Sequence, residues 1–498
     1  MSVVGIENEY GVAVEGVHGD RVDPITLSAA VVTAGTSLAS RWDYATESPL
    51  RDARGYHLPR HEALPDQLTD EARYANRLLG NGARFYVDHA HPEYSGPEVT
   101  SARDAVAWDR AGDLIVQAAA EQASATLGER VRVFKNTTDG KGSSYGCHEN
   151  HLVPRGVPFD AIVEGFTTHL VSRVPFTGAG RVGIGQHGEV TGFQIAQRPD
   201  FFEARVGLET TVRRPLINTR DEPHADVLRW RRLHVITGDA LVGQWGTWLK
   251  VGAASLVLQA IAAGLTWPSV LNPVAAFRAY SHDPSLQQRW TCSDGVDRTA
   301  VEVQRMLWER VSPVVAGAVG EWWLDDAGAV HAAWGQALDD ASRGADALAD
   351  RLDWAAKYRL LQGLSQRGGL DWSSPRLAAL DLQWADLDPD KGIGLTLERQ
   401  GALRTVVTPA EVEHARTEPP ATTRAWLRGW VLHHFAGHVV QATWDQFTVQ
   451  VGGRVVTVRL PEPLDHTAAR WDHALDEVTD AAEMLRVLET GGARLERS

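Results

Sequence analysis

From Arg84 to Asp88 the chain alternates strictly: Arg84, Tyr86 and Asp88 are interleaved with Phe85 and Val87. A period of two belongs to a β-strand with one face on a core and the other on a polar space. That polar face carries a cation, a phenol and a carboxylate. Glu93 follows just beyond the strand, where the chain can fold back towards the same side. A second run, Gly5-Ile6-Glu7-Asn8-Glu9-Tyr10-Gly11, repeats the acidic habit, because Glu7 and Glu9 are two apart and share a face. Side-by-side carboxylates repel, and a hard divalent cation such as magnesium or manganese would relieve them. Taken singly, either run also suits a solvated strand face; the same pattern in two separate strands favours a shared site.

In Gly142-Ser143-Ser144-Tyr145-Gly146-Cys147-His148-Glu149-Asn150-His151, His148 and Asn150 share a face, and the glycines let a ligand approach the backbone. A neutral imidazole ligates divalent ions, and an amide can hold a carboxamide or carboxylate. A lone His148 suits a structural hydrogen bond equally well, as does His234 in Arg231-Arg232-Leu233-His234-Val235. Further on, Asn218-Thr219-Arg220-Asp221-Glu222-Pro223-His224 is preceded by Arg205, Arg213 and Arg214. Guanidinium forks bind phosphate oxygens two at a time. No Walker-type glycine loop or dinucleotide fingerprint occurs, so a nucleotide here would be held by metals and arginines. The same arginines would serve as a surface ion-pair network.

The formal charge of -15 disfavours nucleic acid as the main partner, while a local basic groove remains compatible with an acidic protein partner. Cys147 and Cys292 are the only cysteines, no apolar run is long enough to span a membrane, and the first residues lack the pattern of a signal peptide. A reducing cytoplasm is the expected setting.

Short strand-like runs (Val3–Val14, Arg84–Asp88, Val131–Phe134, Arg181–Ile184, Val190–Ile195) alternate with helical patterns at Ala102–Ala125, Ala240–Ala263, Ala300–Arg310 and Ala333–Leu352. The mixture predicts an α+β fold with an antiparallel sheet. Residues 46–80 are polar and proline-marked, which predicts a flexible loop insertion that tunes activity. Glu418-Pro419-Pro420 breaks the pattern, so residues 1–420 form the expected large domain and 421–498 a small one. The latter combines a Trp-rich helix (Thr423–Phe435), a strand pair (Val439–Gln450, Gly453–Leu460) and a last helix (His466–Leu488).

Together, GIENEYG, NGARFYVDHAHPEY, SSYGCHENHLV and INTRDEPHADVLRWRRLHVITGD resemble the Pup ligase/Pup deamidase family, with a weaker echo at Asp353–Leu361. The family is related to glutamine synthetase. The resemblance implies a large domain whose curved antiparallel sheet cradles ATP and magnesium, plus a small C-terminal domain. It implies that Glu7, Tyr86 and Glu93 hold one magnesium, that Glu9, His148 and His234 surround another, and that Asp88 is the catalytic aspartate. Arg84 and Arg220 would touch ATP phosphates, with Arg205 in the same arginine cluster, and Trp444 resembles a tryptophan packed near the nucleotide. Asn8 stands where Thr or Val is commoner, with its side chain expected to face away from the metals.

Within the family, Asp88-His89-Ala90-His91-Pro92-Glu93 and the Ser48–Gly55 insertion look like the deamidase form rather than the ligase. The implied activity is deamidation of the C-terminal glutamine of Pup, a small acidic disordered modifier, and hydrolysis of its isopeptide bond to lysines of target proteins. Asp88 would attack the carbonyl or align water, with ATP completing the site rather than being consumed. Candidate captors of Pup are Arg229, Arg231, Arg232 and the arginines between Arg51 and Arg77. The alternatives are a Pup–protein ligase, a small-molecule carboxylate–amine ligase and a non-catalytic Pup-binding scaffold.

Overall fold

Seven strands form the main sheet, in the spatial order Trp230–Val235, Cys147–Pro154, Val4–Glu9, His91–Ser95, Arg84–Asp88, Asn76–Leu79 and Ala39–Arg41. Every neighbouring pair is antiparallel, and the fold is α+β as expected. The computed structural model describes residues 2–16, 23–35, 39–44, 47–59, 61–63, 75–317 and 324–497.

Register decides what the two faces carry. Glu7 stands opposite His148, Glu9 opposite Glu93, Tyr86 opposite Glu93, and His234 opposite Asn150. Directly paired residues share a face, so these seven side chains gather on one side of the sheet. Ile6, Phe85, Val87, Leu233 and Val235 take the other side, buried among the helices Pro24–Ala34, Ala102–Leu127 and Gln244–Ala262. Asn8 also lies on the core side, donating to Asp109 Oδ1 at 2.5 Å. The Ala102–Leu127 helix starts at Ser101, whose hydroxyl accepts from Asp104 N, and stops at Gly128 in the left-handed region, φ 72°. Gln244–Ala262 is buried on nearly every side, which suits a helix with no polar stripe. Among the described residues, no helix is long and apolar enough to cross a membrane.

The described residues of the 46–80 segment are more structured than its composition suggests. Asn76–Leu79 is a strand of the main sheet. Residues 47–59 dock on the 219–222 segment: Ala53 N donates to Thr219 O (2.8 Å), Asp221 N donates to Arg51 O (2.8 Å), and buried Asp52 accepts from Thr219 Oγ1 (2.6 Å). Two of these docking contacts are backbone to backbone, which side-chain polarity does not reveal. Residues 46, 60 and 64–74 lie outside the described residues, with Arg60 and Arg73 among them.

The C-terminal part builds an antiparallel sheet of Val439–Ala442, Gln446–Val451, Arg454–Arg459 and Arg494–Arg497. Its core includes Trp42 and Leu78 from the main sheet's edge, and a bridge pairs Trp42 with Ala442. Glu98 ties the two parts together. It accepts from Arg424 Nε at 2.7 Å and Arg428 Nη2 at 2.5 Å, and both arginines are almost wholly buried. Burial alone would raise the Glu98 pKa, but the two guanidiniums outweigh it and hold the carboxyl down at about 2.

Removing this carboxylate strands two buried cations, so Glu98→Gln is expected to cost about 3 kcal/mol of stability. The wild-type contribution is present above the ordinary carboxylate pKa and is lost as pH falls through about 2. Denaturant unfolding of both proteins from pH 7 to pH 2 checks this. An equal acid dependence in the two would remove Glu98 as its source.

Candidate active site

The polar face of the main sheet floors a cleft of about 770 Å³, its open mouth included, roofed by Glu47, Pro49, Thr210, Arg220, Glu222, His224 and Trp444. Glu7, Arg84, Tyr86, Asp88, Glu93, His148, His234, Arg220 and Trp444 all border it. Arg205 does not reach it. On the Phe202–Gly207 strand it points to the neighbouring helix Phe159–Ser172 and pairs with Glu164 at 2.9 Å. Nearness in sequence to Arg213 and Arg214 is no guide to its direction.

The acidic and imidazole groups fall into two sets. Ligand atoms of Glu7, His148 and His234 lie within 4.8 Å of one another, and so do those of Glu9, Asp88 and Glu93. This division differs from the one the resemblance implied, which joined Glu7 to Glu93 and Glu9 to the histidines. Register explains it: Glu7 pairs across to His148, whereas Glu9 pairs across to Glu93 on the other neighbouring strand. Tyr86, opposite Glu93, stands at the junction.

In the first set, His148 Nδ1 is 3.3 Å from Glu7 Oε2, and Asn150 donates to Glu7 Oε1 at 2.8 Å. Burial alone would raise the Glu7 pKa, but His148, His234 and Arg232 overcome it and keep the carboxylate ionised. Burial, with His148 and Arg232 nearby, pushes His234 well below the usual imidazole range, leaving it neutral and able to ligate. Asn150 Oδ1 fixes the ring, 3.0 Å from His234 Nδ1, as partners behind metal-ligating histidines do.

The second set holds an unpartnered oxygen. Glu93 is 1% exposed, and its Oε2 has no hydrogen-bond partner. Burial first, then the carboxylates of Asp88, Glu7 and Glu9, raise its pKa well above the ordinary value. Buried like charges beside an orphaned oxygen are what a divalent cation with oxygen ligands corrects, so the donors fit such an ion.

Gly146 holds the two sets in place. Its N–H donates to Glu9 Oε1 at 2.7 Å, and a Cβ there would lie 2.4 Å from both Glu9 Oε1 and His148 Nε2. Gly146→Ala must displace both side chains, and a loss of nucleotide affinity of roughly tenfold to a hundredfold is expected. Calorimetric titration with a non-hydrolysable ATP analogue reads it; unchanged affinity would separate Glu9 and His148 from nucleotide binding.

The cationic wall is rigid. The Arg84 guanidinium lies 4.0 Å from the Trp42 ring centroid and 3.9 Å from that of Tyr86, with Nε donating to Asn76 Oδ1 at 3.0 Å. Trp444 meets Trp42 edge to face at 5.5 Å, so the C-terminal part buttresses the same wall. Arg232 donates to Asn150 Oδ1 at 3.0 Å, and Arg220 lies 3.8 Å from Glu222. Of the proposed Pup captors, Arg231 is buried on Val157 O and Arg229 pairs with Glu462. His224 and Glu222 were legible only as parts of a motif, and Arg232 only as a candidate captor of Pup; their convergence on the cleft depends on the 219–224 segment folding over the sheet.

A family model described as Pup-ligase protein matches residues 2–448. The chain is 45% identical to a depupylase of Acidothermus cellulolyticus, covering 98% of this chain and 99% of the relative. It is 43% identical to a Pup deamidase/depupylase of Mycobacterium tuberculosis, with 98% of each covered. A Pup–protein ligase of Acidimicrobium ferrooxidans is 40% identical over 82% of this chain and 90% of its own. Among solved structures, the complex of Pup with its ligase PafA superposes with a TM-score of 0.79 at 28% identity, covering 98% of this chain and 94% of that one. PafA bound to ADP gives 0.73 at 31% identity, covering 82% and 91%.

Proposed function

The chain belongs to the Pup-ligase protein family, and from that premise we propose that it is an amidohydrolase acting on Pup in the cytoplasm. It converts the C-terminal glutamine of Pup to glutamate and cleaves the isopeptide bond between Pup and lysines of pupylated proteins. The full-length likeness to depupylases supports this branch over the ligase. The observation that carries the chemistry is the face of the sheet where Glu9, Asp88 and Glu93 converge beside Glu7, His148 and His234, under a wall of arginines.

The related ligase PafA is known in complex with ADP, and we assign ATP in this chain to the cleft, with its phosphates towards Arg84 and Arg220. Magnesium is the ion proposed for the two donor sets, with Tyr86 at their junction; bound there, it would neutralise phosphate and carboxylate charge. Asp88 acts on the amide carbonyl, by attacking its carbon or by taking a proton from the water that does. Arg84, immobilised between two aromatic rings, offers fixed positive charge to the developing oxyanion. Trp444 lines the nucleotide side of the cleft, and the leaving ammonia or lysine amine departs protonated.

Incubating the protein with glutamine-ended Pup, ATP and magnesium, then weighing Pup, tests the reading. The small mass gain of amide-to-acid conversion is expected, without ATP consumption in step with turnover. Pup joined to lysines with stoichiometric ADP release would identify a ligase instead.

A further inference from the structure

His89 and Ala90 form the two-residue turn between the strands Arg84–Asp88 and His91–Ser95. His89 stands at φ 51°, in the left-handed region. Two-residue hairpin turns favour Gly, Asn or Asp at such positions. An imidazole is a strained choice there, and strain of this kind at a site directs attention to the side chain it places.

Consecutive residues of a strand face opposite sides, so His89 would ordinarily turn away from Asp88. The left-handed backbone reverses this: His89 Nδ1 lies 2.8 Å from Asp88 Oδ1, and the ring borders the cleft. On its other flank Asp88 faces Glu9 and Glu93, with one oxygen of each within 4.8 Å. Like charges at that range push a carboxylate to rotate away, so its orientation depends on a donor.

We propose that His89 is a positioning residue for the hydrolysis: its Nδ1–H holds Oδ1 of Asp88 and so fixes which oxygen meets the amide or the attacking water. This rests on the reading of Asp88 as the reacting group. No proton leaves His89 in this role; the neutral ring is sufficient.

Three substitutions separate the His89–Asp88 contact from the strain. His89→Gly relieves the backbone and removes the donor. His89→Asn tolerates the left-handed region and carries an amide nitrogen near the place of Nδ1. His89→Gln carries its amide one bond too far. With glutamine-ended Pup, ATP and magnesium, His89→Gly and His89→Gln are expected to lose roughly tenfold to a hundredfold in kcat at unchanged KM and nucleotide affinity. His89→Asn should recover most of that loss, and His89→Gly should unfold no earlier than wild type. Wild-type kcat in His89→Gly, or His89→Asn as slow as His89→Gly, overturns the proposal.

Asp88→Asn is measured in parallel. If it is inactive while His89→Gly is not, only the role of His89 falls. If it remains active, the assignment of Asp88 falls first. Adding His89→Gly to Asp88→Asn should cost nothing further, and an additional loss would mean that His89 acts independently of Asp88.

Discussion

Asp88→Asn is expected to abolish amide hydrolysis, with a loss in kcat of roughly a thousandfold or more, since neutralising a group that attacks or deprotonates removes the step itself. Nucleotide binding should survive, because the amide matches the carboxylate in shape. Arg84 and Arg220, the groups assigned to the phosphates, are also left in place. Asp88 shares a set with Glu9 and Glu93, so losing its charge also weakens cation binding there. Raising magnesium therefore distinguishes the two effects. Recovery of turnover at high magnesium would make Asp88 chiefly a ligand; persistent inactivity with ATP still bound makes it the reacting group. The protein must be freshly purified, so that the introduced amide has not reverted to aspartate.

The strands carrying the site were legible because period-two alternation survives in short runs. Val4–Glu9, Arg84–Asp88, Val131–Phe134 and Arg181–Ile184 all fall where apolar and polar residues interleave. The expected Ala333–Leu352 helix is instead Ala327–Ala341, a short 3-10 turn at Ala345–Leu348 and the start of a new helix at Asp353. Gly344 at φ 100° makes that break, a conformation its neighbours conceal by continuing the helical spacing. The last helix divides likewise into Ala468–Leu475 and Ala481–Thr490, the second capped by Asp480 accepting from Ala482 N. Arg494–Arg497 is a half-exposed edge strand with three charged residues in four, so it lacks the alternation that betrays strands.

For the site, residue types were legible and their partnerships were not. Glu7 and Glu9 share a face by periodicity, but which histidine or carboxylate each meets follows from strand order, a long-range property. The same holds for Trp42. Thirty-four residues before Asn76 in the chain, it packs in the C-terminal core and supports Arg84 from there. Asn8, by contrast, was placed correctly from alternation alone, because facing the core needs no knowledge of the partner strand.

Glu93→Gln should act in opposite directions on the free and loaded protein. In the metal-free protein, Glu93 is buried among Asp88, Glu7 and Glu9 with one oxygen unpaired. Its charge opposes folding there, and the raised pKa reports that opposition. Replacing the carboxyl by an amide relieves the repulsion, so the metal-free variant is expected to gain roughly 1 kcal/mol, a typical exchange between stability and function. With ATP and magnesium the order should reverse. Ligand-induced stabilisation follows occupancy, and an amide is a weaker ligand than a carboxylate, so the rise in Tm seen for wild type should largely vanish and activity fall with it. The paired measurement is thermal unfolding with chelator and with saturating magnesium and ATP. A variant less stable in chelator would mean that Glu93 has a structural partner. A variant that still gains the full ligand-induced shift would show that cation binding does not depend on Glu93, and its place in the donor set would have to be given up.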